Sequence, residues 1–104
     1  MAANVEAVRQ EAMHYAEVVR GELPVDKAYL FGSYAHGTAD ELSDVDVCFF
    51  LRDYAGKDRM AAGVQLLKIA RKYKAYFEPL VFLTSEIERG NPFVKEILHT
   101  GVEI

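Results

Sequence analysis

The chain has 104 residues, 51% of them apolar, which predicts a single globular domain over 1–104 and argues against disorder. Its formal net charge of -4 argues against wide, non-specific nucleic-acid binding, which needs a basic surface. Cys48 is the only cysteine, so no internal disulfide can form, and the sequence contains neither a signal-peptide core nor an apolar run of membrane-spanning length. These features predict a cytoplasmic protein without a membrane partner.

The first half of the chain predicts one helix and two strands. Apolar residues recur at three- and four-residue steps over 4–20, the spacing of one helix face. A short buried strand is predicted over 27–31. The nearly continuous apolar run Val45–Leu51 predicts a second strand, covered on both sheet faces. Between these strands, 32–43 begins with a turn and includes a short helical piece.

The second half predicts a long helix and a third strand after a loop at 53–57. The helix is expected over 58–74, with a basic cluster towards its end (Lys68, Arg71, Lys72 and Lys74), which is most simply a solvated helix end and alternatively a docking or phosphate-side patch. The strand is expected over 75–83. Pro79 lacks a backbone N–H, so it predicts an edge position or a bulge.

Two short helices and a final strand complete the predicted elements. Ser85 and Glu88 have the spacing of a capping box. Asn91 is expected to cap the next helix, with Pro92 at its first position and Gly101 at its end. A last strand is expected over 102–104. The predicted fold class is therefore α/β (α+β), a small mixed β-sheet with helices packed on it.

Two aspartates open the second strand. Asp44 and Asp46 are two residues apart, so their side chains point to the same side of the strand. Two carboxylates so near each other repel, and a divalent cation bound between them removes the energetic cost of that repulsion. Oxygen ligands alone suit Mg²⁺, so the pair predicts a metal site. Alternatively, Asp44 is a helix cap and Asp46 a solvated strand residue, although charge inside an apolar strand is costly.

A small turn precedes these aspartates. Gly32 and Ser33 directly follow the first apolar strand, where Gly32 would let the backbone approach phosphate oxygens and Ser33 would add a hydroxyl donor. The alternative is a plain turn that ends a strand. The ordered combination of strand, Gly-Ser, spacer and Asp-x-Asp favours the phosphate site.

This combination resembles the signature of the polymerase-β-like nucleotidyltransferases, and is most similar to their minimal nucleotidyltransferase (MNT) members. The resemblance implies a polymerase-β-like core in which Asp44 and Asp46 hold Mg²⁺, two ions in all, for a nucleoside triphosphate that would be ATP. It also implies that Glu78 is the third catalytic and metal-binding carboxylate, where the family commonly has Asp. The alternative for Glu78 is an exposed edge-strand residue. His36 stands where the family usually has Arg, which puts triphosphate affinity or acceptor recognition in question.

The resemblance also implies a partner. Similar MNT proteins are antitoxins that transfer AMP to a tyrosine of a HEPN-domain ribonuclease toxin, so a hetero-oligomer with such a toxin is expected. Two alternatives stay open from the sequence. One is a non-catalytic binding module that neutralises a partner by covering it. The other is a small-molecule modifier, which usually carries an additional helical domain for its acceptor.

Overall fold

The computed structural model of the protein describes residues 5–36, 44–52 and 59–104. Helices alternate with strands along most of the chain, and two consecutive helices precede the last strand. In order these are α1 (Val5–Arg20), β1 (Val25–Phe31), α2 (Ser33–His36), β2 (Val45–Leu51), α3 (Arg59–Ala70), β3 (Phe77–Leu83), α4 (Ser85–Glu88), α5 (Pro92–Thr100) and β4 (Val102–Glu103). The loop predicted over 53–57 and most of the segment that follows the Gly-Ser turn lie outside the described residues.

The strands form one mixed sheet in the order β3-β2-β1-β4. β1 is antiparallel to both β2 and β4, whereas β2 and β3 are parallel and α3 lies between them in the chain. The predicted fold class is confirmed. Pro79 lies on β3, at one edge of the sheet, where its missing N–H interrupts no ladder within the sheet.

Helices cover the two faces of the sheet differently. Alternate residues of β2, such as Val47 and Phe49, pack in the larger core with buried residues of α1 and α3. The residues between them, Cys48 and Phe50, pack in a smaller core with α5. Because strand side chains alternate between faces, Asp46 belongs to the α5 face of the sheet. Cys48 is fully buried, as expected of a core thiol.

The long helix ends earlier than predicted. α3 ends at Ala70, because Lys72 and Tyr73 donate backbone hydrogen bonds to carbonyls only three residues back, which tightens the last turn. The next two backbone N–H groups, of Lys74 and Ala75, donate to Oε1 of Glu11 on α1, at 2.9 and 3.2 Å. This carboxylate replaces the helical acceptors, so the predicted helix over 58–74 was too long.

Three smaller boundary predictions were also wrong. β1 begins at Val25, two residues before the predicted start, and β3 begins at Phe77, two residues after it. The capping box at Ser85 is absent, because Thr84 occupies the cap position and makes no side-chain cap hydrogen bond. Glu86 serves this turn instead, accepting from the Leu83 N–H at 3.1 Å.

The start of α5 agrees with the sequence. Asn91 Oδ1 accepts from the N–H groups of Phe93 and Val94, with Pro92 at the first helical position and Gly101 at the end. Within residues 5–36, 44–52 and 59–104, no helix has the length and apolar character needed to cross a membrane.

Candidate active site

Asp46 lies at the centre of the candidate site. It is the second residue of β2, flanked in the sheet by Phe31 of β1 and by Glu78 of β3. The Val45 N–H donates to the Tyr76 carbonyl at 2.8 Å, which fixes the start of β3 beside the start of β2. This pairing brings Glu78 next to Asp46 although 32 positions (78 − 46) separate them in the chain.

Gly32 packs directly against the Asp46 carboxylate. Its φ of 74° lies in the left-handed region that favours glycine. A Cβ at this position would overlap Oδ2 of Asp46 and lie 3.2 Å from its Cγ. The turn after β1 therefore requires glycine for two reasons, its backbone conformation and the close approach of the carboxylate.

The pKa of Asp46 is consistent with its position close to Gly32 and near two other carboxylates. Partial burial raises the pKa of Asp46, and the negative charges of Glu78 and then Asp44 raise it further. Asp44 is exposed and immediately precedes β2, and Glu78 is exposed on the edge strand. The structure thus places Asp44 and Glu78 within electrostatic reach of Asp46. A bound cation would relieve their mutual repulsion.

The donor chemistry fits a magnesium ion that also binds substrate. Carboxylate oxygens are the ligands that Mg²⁺ prefers, and the ion is commonly held by one or two carboxylates together with substrate phosphates and water. Within the described ranges, no group of three His, Cys, Asp or Glu side chains is arranged to hold a metal ion unaided. The assignment of Asp44, Asp46 and Glu78 as ligands therefore stays a prediction.

Ser33 begins α2 directly after the glycine, and the Gly32 carbonyl accepts from the Ala35 N–H at 3.1 Å. The predicted short helical piece is therefore present, and the Gly-Ser pair lies on the β1 side of Asp46. Its role as a phosphate site stays a prediction. The side chain of His36 lies outside what the structure describes.

Sequence reasoning missed a groove on the other side of Asp46. This β3-edge groove has a volume of about 500 Å³ and runs from the carboxylates to the chain that follows α3. Asp44 and Glu78 lie at one end, and two of the four clustered basic residues, Arg71 and Lys74, line it with the exposed Tyr76. The remaining lining is mainly apolar and is formed by Leu67, Ala70, Tyr73, Ala75 and Phe77. The sequence feature that could have indicated this groove is the aromatic residue Tyr76, two residues before Glu78.

Aromatic rings lie beyond the carboxylates on the α5 face. Phe93 contacts Phe31 and Phe82 with ring centroids 6.1 and 6.0 Å apart, and it is 51% exposed. Because Phe31 is the sheet partner of Asp46, this partly exposed aromatic surface borders the candidate site.

Comparisons with known proteins agree with this geometry. The family model described as "Nucleotidyltransferase domain" matches residues 13–98, which include Gly32, both aspartates and Glu78. The chain belongs to the nucleotidyltransferase domain family, and it is a nucleotidyltransferase enzyme. Family membership implies a nucleotide substrate and, as a rule, a divalent metal ion.

One curated relative spans the chain almost completely. A protein of Methanocaldococcus jannaschii named "putative protein adenylyltransferase" is 27% identical over 101 residues, covering 96% of this chain and 97% of its own. A crystal structure of a "putative nucleotidyltransferase" from Sulfolobus solfataricus has a TM-score of 0.58 at 23% identity, covering 75% of this chain and 68% of that one. The structural likeness confirms the fold, and the relative supports membership of the minimal nucleotidyltransferases.

Proposed function

We propose that this enzyme transfers AMP from ATP to a hydroxyl group of a protein, with Mg²⁺ bound at Asp44 and Asp46. The observation that carries the proposal is the close approach of Gly32 to the Asp46 carboxylate, with Glu78 as the sheet neighbour of Asp46 on β3. A partly buried carboxylate beside two further acids is costly to a fold unless it has a function. The name of the full-length relative supports a protein as acceptor.

Residues on the two sides of Asp46 would have different roles, one in binding phosphates and the other in assisting the acceptor. The Gly32-Ser33 turn would position the β- and γ-phosphates, because glycine allows the backbone to approach them closely. Asp44 and Asp46 would hold the metal, which when bound would neutralise triphosphate charge and stabilise the attacking and leaving oxygens. Glu78, next to Asp46 on β3, would hold a second metal ion with Asp46 on the acceptor side and assist the acceptor hydroxyl.

The reaction follows from these positions. The acceptor hydroxyl oxygen would form a bond to the α-phosphorus while the bond from that phosphorus to the bridging oxygen of the β-phosphate breaks. Pyrophosphate leaves with the electron pair of the broken bond. The hydroxyl proton passes to Glu78 or, through it, to water. The products are an AMP ester of the acceptor and pyrophosphate.

The proposed acceptor is a tyrosine of a HEPN-domain toxin, which would make this protein an antitoxin. This part of the proposal rests on the resemblance of the Gly-Ser and Asp-x-Asp motifs to those of the MNT antitoxins. A hetero-oligomer with that toxin is proposed with it. The competing proposal, a non-catalytic module that covers its partner, predicts inhibition without any covalent change in the partner.

Calorimetry tests the nucleotide and metal assignments. ATP should bind in the presence of Mg²⁺ more tightly than GTP, CTP or UTP, and removal of the metal with EDTA should abolish binding. Asp44→Asn and Asp46→Asn should each weaken metal-dependent ATP binding by at least about 10- to 100-fold, because loss of an outer-shell partner of a metal ligand already costs that much. Glu17→Gln is a control, because Glu17 lies exposed on α1, which packs on the opposite face of the sheet from Asp46. Unchanged binding in both aspartate variants, with the fold intact, would refute the two-carboxylate site.

A further inference from the structure

The β3-edge groove divides the basic cluster predicted at the end of α3. Arg71 and Lys74 line the groove, whereas Lys68 and Lys72 do not. Neither groove residue forms an ion pair within the part of the chain that the structure describes. Asp44 and Glu78 also line the groove, so its formal charges balance, and the two unpaired cations would leave it positive once a metal ion neutralises these carboxylates.

The backbone that presents these cations is held in place. Glu11 of α1 accepts from the N–H groups of Lys74 and Ala75, and the Tyr73 ring packs against Tyr15 and Phe77 with centroids 5.6 and 5.5 Å apart. The bend after α3 is therefore fixed to the core. Its outward side chains are displayed on a rigid support, which favours a defined binding role.

The groove lies on the acceptor side of the site. The Gly32-Ser33 turn approaches Asp46 from β1, and the groove approaches it from β3, where Glu78 lies. In an in-line transfer the attacking and leaving groups lie on opposite sides of the phosphorus. With the phosphates on the turn, the groove offers an approach for a hydroxyl from the β3 side.

The groove continues into an exposed apolar row on α3. Leu67 lines the groove at 44% exposure, and Val64 and Met60 follow it on the same helix face at 46% and 77% exposure. Met60 and Val64 line a further cavity of about 520 Å³. From Met60 to Leu67 this row spans about 10 Å at 1.5 Å per residue, so it extends the groove along α3 and would contact apolar side chains of a bound polypeptide.

From these observations we infer that the β3-edge groove binds the acceptor as a polypeptide segment in which acidic and apolar residues flank the modified hydroxyl. Arg71 and Lys74 would pair with the acidic residues, and Tyr76 and Leu67 would contact the apolar ones. The inference deepens the proposed function and rests on it for the identity of the bound segment as acceptor. It assigns acceptor specificity to two residues outside the catalytic carboxylates.

Two matched synthetic peptides test the charge preference. Both contain one central tyrosine and flanking leucines, and they differ only in having aspartates or lysines at the remaining positions. Binding of each fluorescein-labelled peptide is followed by anisotropy, and transfer from α-labelled ATP with Mg²⁺ is measured in parallel. The aspartate peptide should bind about fivefold more tightly, which corresponds to two partly exposed ion pairs, and high salt should reduce the difference.

The double variant Arg71→Glu, Lys74→Glu should lose or invert this preference while ATP binding stays within about twofold of wild type, since the nucleotide lies on the other side of Asp46. The control is Lys27→Glu, Lys72→Glu, which makes the same charge change at two exposed positions that do not line the groove. The control should keep the preference.

The possible outcomes separate the inference from the proposed function. Equal binding of both peptides would overturn the inference. Loss of ATP binding in the groove variant, with the peptide preference unchanged, would also overturn it and place the groove in the nucleotide site. Transfer to both peptides at equal rates would support the proposed function and overturn the inference. Preferential binding of the aspartate peptide, without transfer from any nucleoside triphosphate, would support the groove's charge preference and count against the proposed function.

Discussion

Replacing Gly32 by alanine should affect both the stability of the fold and the binding of ATP, and the two effects can be measured separately. The φ of 74° is unfavourable for any residue with a Cβ, at about 1–2 kcal/mol. The methyl group would also overlap Oδ2 of Asp46. That oxygen is at the end of a side chain that can rotate, so moving it adds little to the loss of stability. The carboxylate would nevertheless leave the position that it occupies against Gly32.

Two other glycines supply the controls. Gly90 has a φ of 76°, but a methyl group added there would meet only the end of the Lys95 side chain, at 3.7 Å, so Gly90→Ala carries the backbone cost alone. Gly63, inside α3, has nothing within 4 Å of such a methyl group, so Gly63→Ala should stabilise the protein by about 0.5–1 kcal/mol. These two variants bracket the effect of the added methyl on stability.

Thermal unfolding and calorimetry with Mg²⁺ and ATP measure the two effects. Gly32→Ala and Gly90→Ala should lower Tm similarly, by about 4–8 °C per kcal/mol in a domain of this size. Only Gly32→Ala should also weaken metal-dependent ATP binding, by about 10- to 100-fold. If Gly32→Ala binds ATP as well as Gly90→Ala does, the contact with Asp46 has no functional importance and the reasoning fails.

Three further predictions concern single side chains. Glu78→Gln should leave ATP binding within about threefold of wild type and depress transfer by at least about 100-fold, the lower range for losing a general base; wild-type transfer would make Glu78 structural. Tyr15→Phe removes a buried hydrogen bond to the Leu66 carbonyl (2.8 Å) and should cost about 1–2 kcal/mol by denaturant unfolding, whereas an unchanged midpoint would mean that the bond is not stabilising. Burial, followed by the charge of Glu86, raises the pKa of the Cys48 thiol to about 12, so iodoacetamide at about pH 8 should label the unfolded but not the native protein. The pKa is raised in the folded state only, so between the unfolded thiol pKa of about 8.5 and the folded value of about 12 the unfolded protein loses its thiol proton while the folded protein keeps it. The contribution of Cys48 to the free energy of unfolding is therefore fully present below about pH 8.5 and is lost as the pH rises towards 12.

Sequence patterns correctly predicted the helix and strand ends that are set by interactions between residues close together in the chain. The bounds of Val45–Leu51 follow from its apolar run, and Asn91 with Pro92 predicts the start of α5 because the cap is made within three residues. The end of α3 could not be predicted in this way. Its acceptor after the last turn is Glu11, which is 63 residues away in the chain.

In the candidate site, too, some positions could be predicted from the local sequence, whereas others depend on contacts between distant parts of the chain. Asp44 and Asp46 share one strand end, so their proximity follows from the strand period alone. The neighbouring position of Glu78 depends on the parallel register between β2 and β3, which resemblance suggested and no local pattern specifies. The division of the basic cluster by the groove depends on the bend after Ala70, so a helix predicted over 58–74 could not reveal it.

Transfer of AMP to a HEPN-domain protein encoded beside this chain tests the central claim most directly. The partner is incubated with ATP, Mg²⁺ and either wild-type protein or Asp46→Asn, and its intact mass is then measured. The account predicts mass additions of whole AMP units with the wild type and none with Asp46→Asn. Equal modification by a folded Asp46→Asn protein would contradict the assignment of the site. If the partner's mass never changes, even with the wild type, and Asp46→Asn still inhibits the partner, inhibition is by binding alone and the enzymatic account is contradicted.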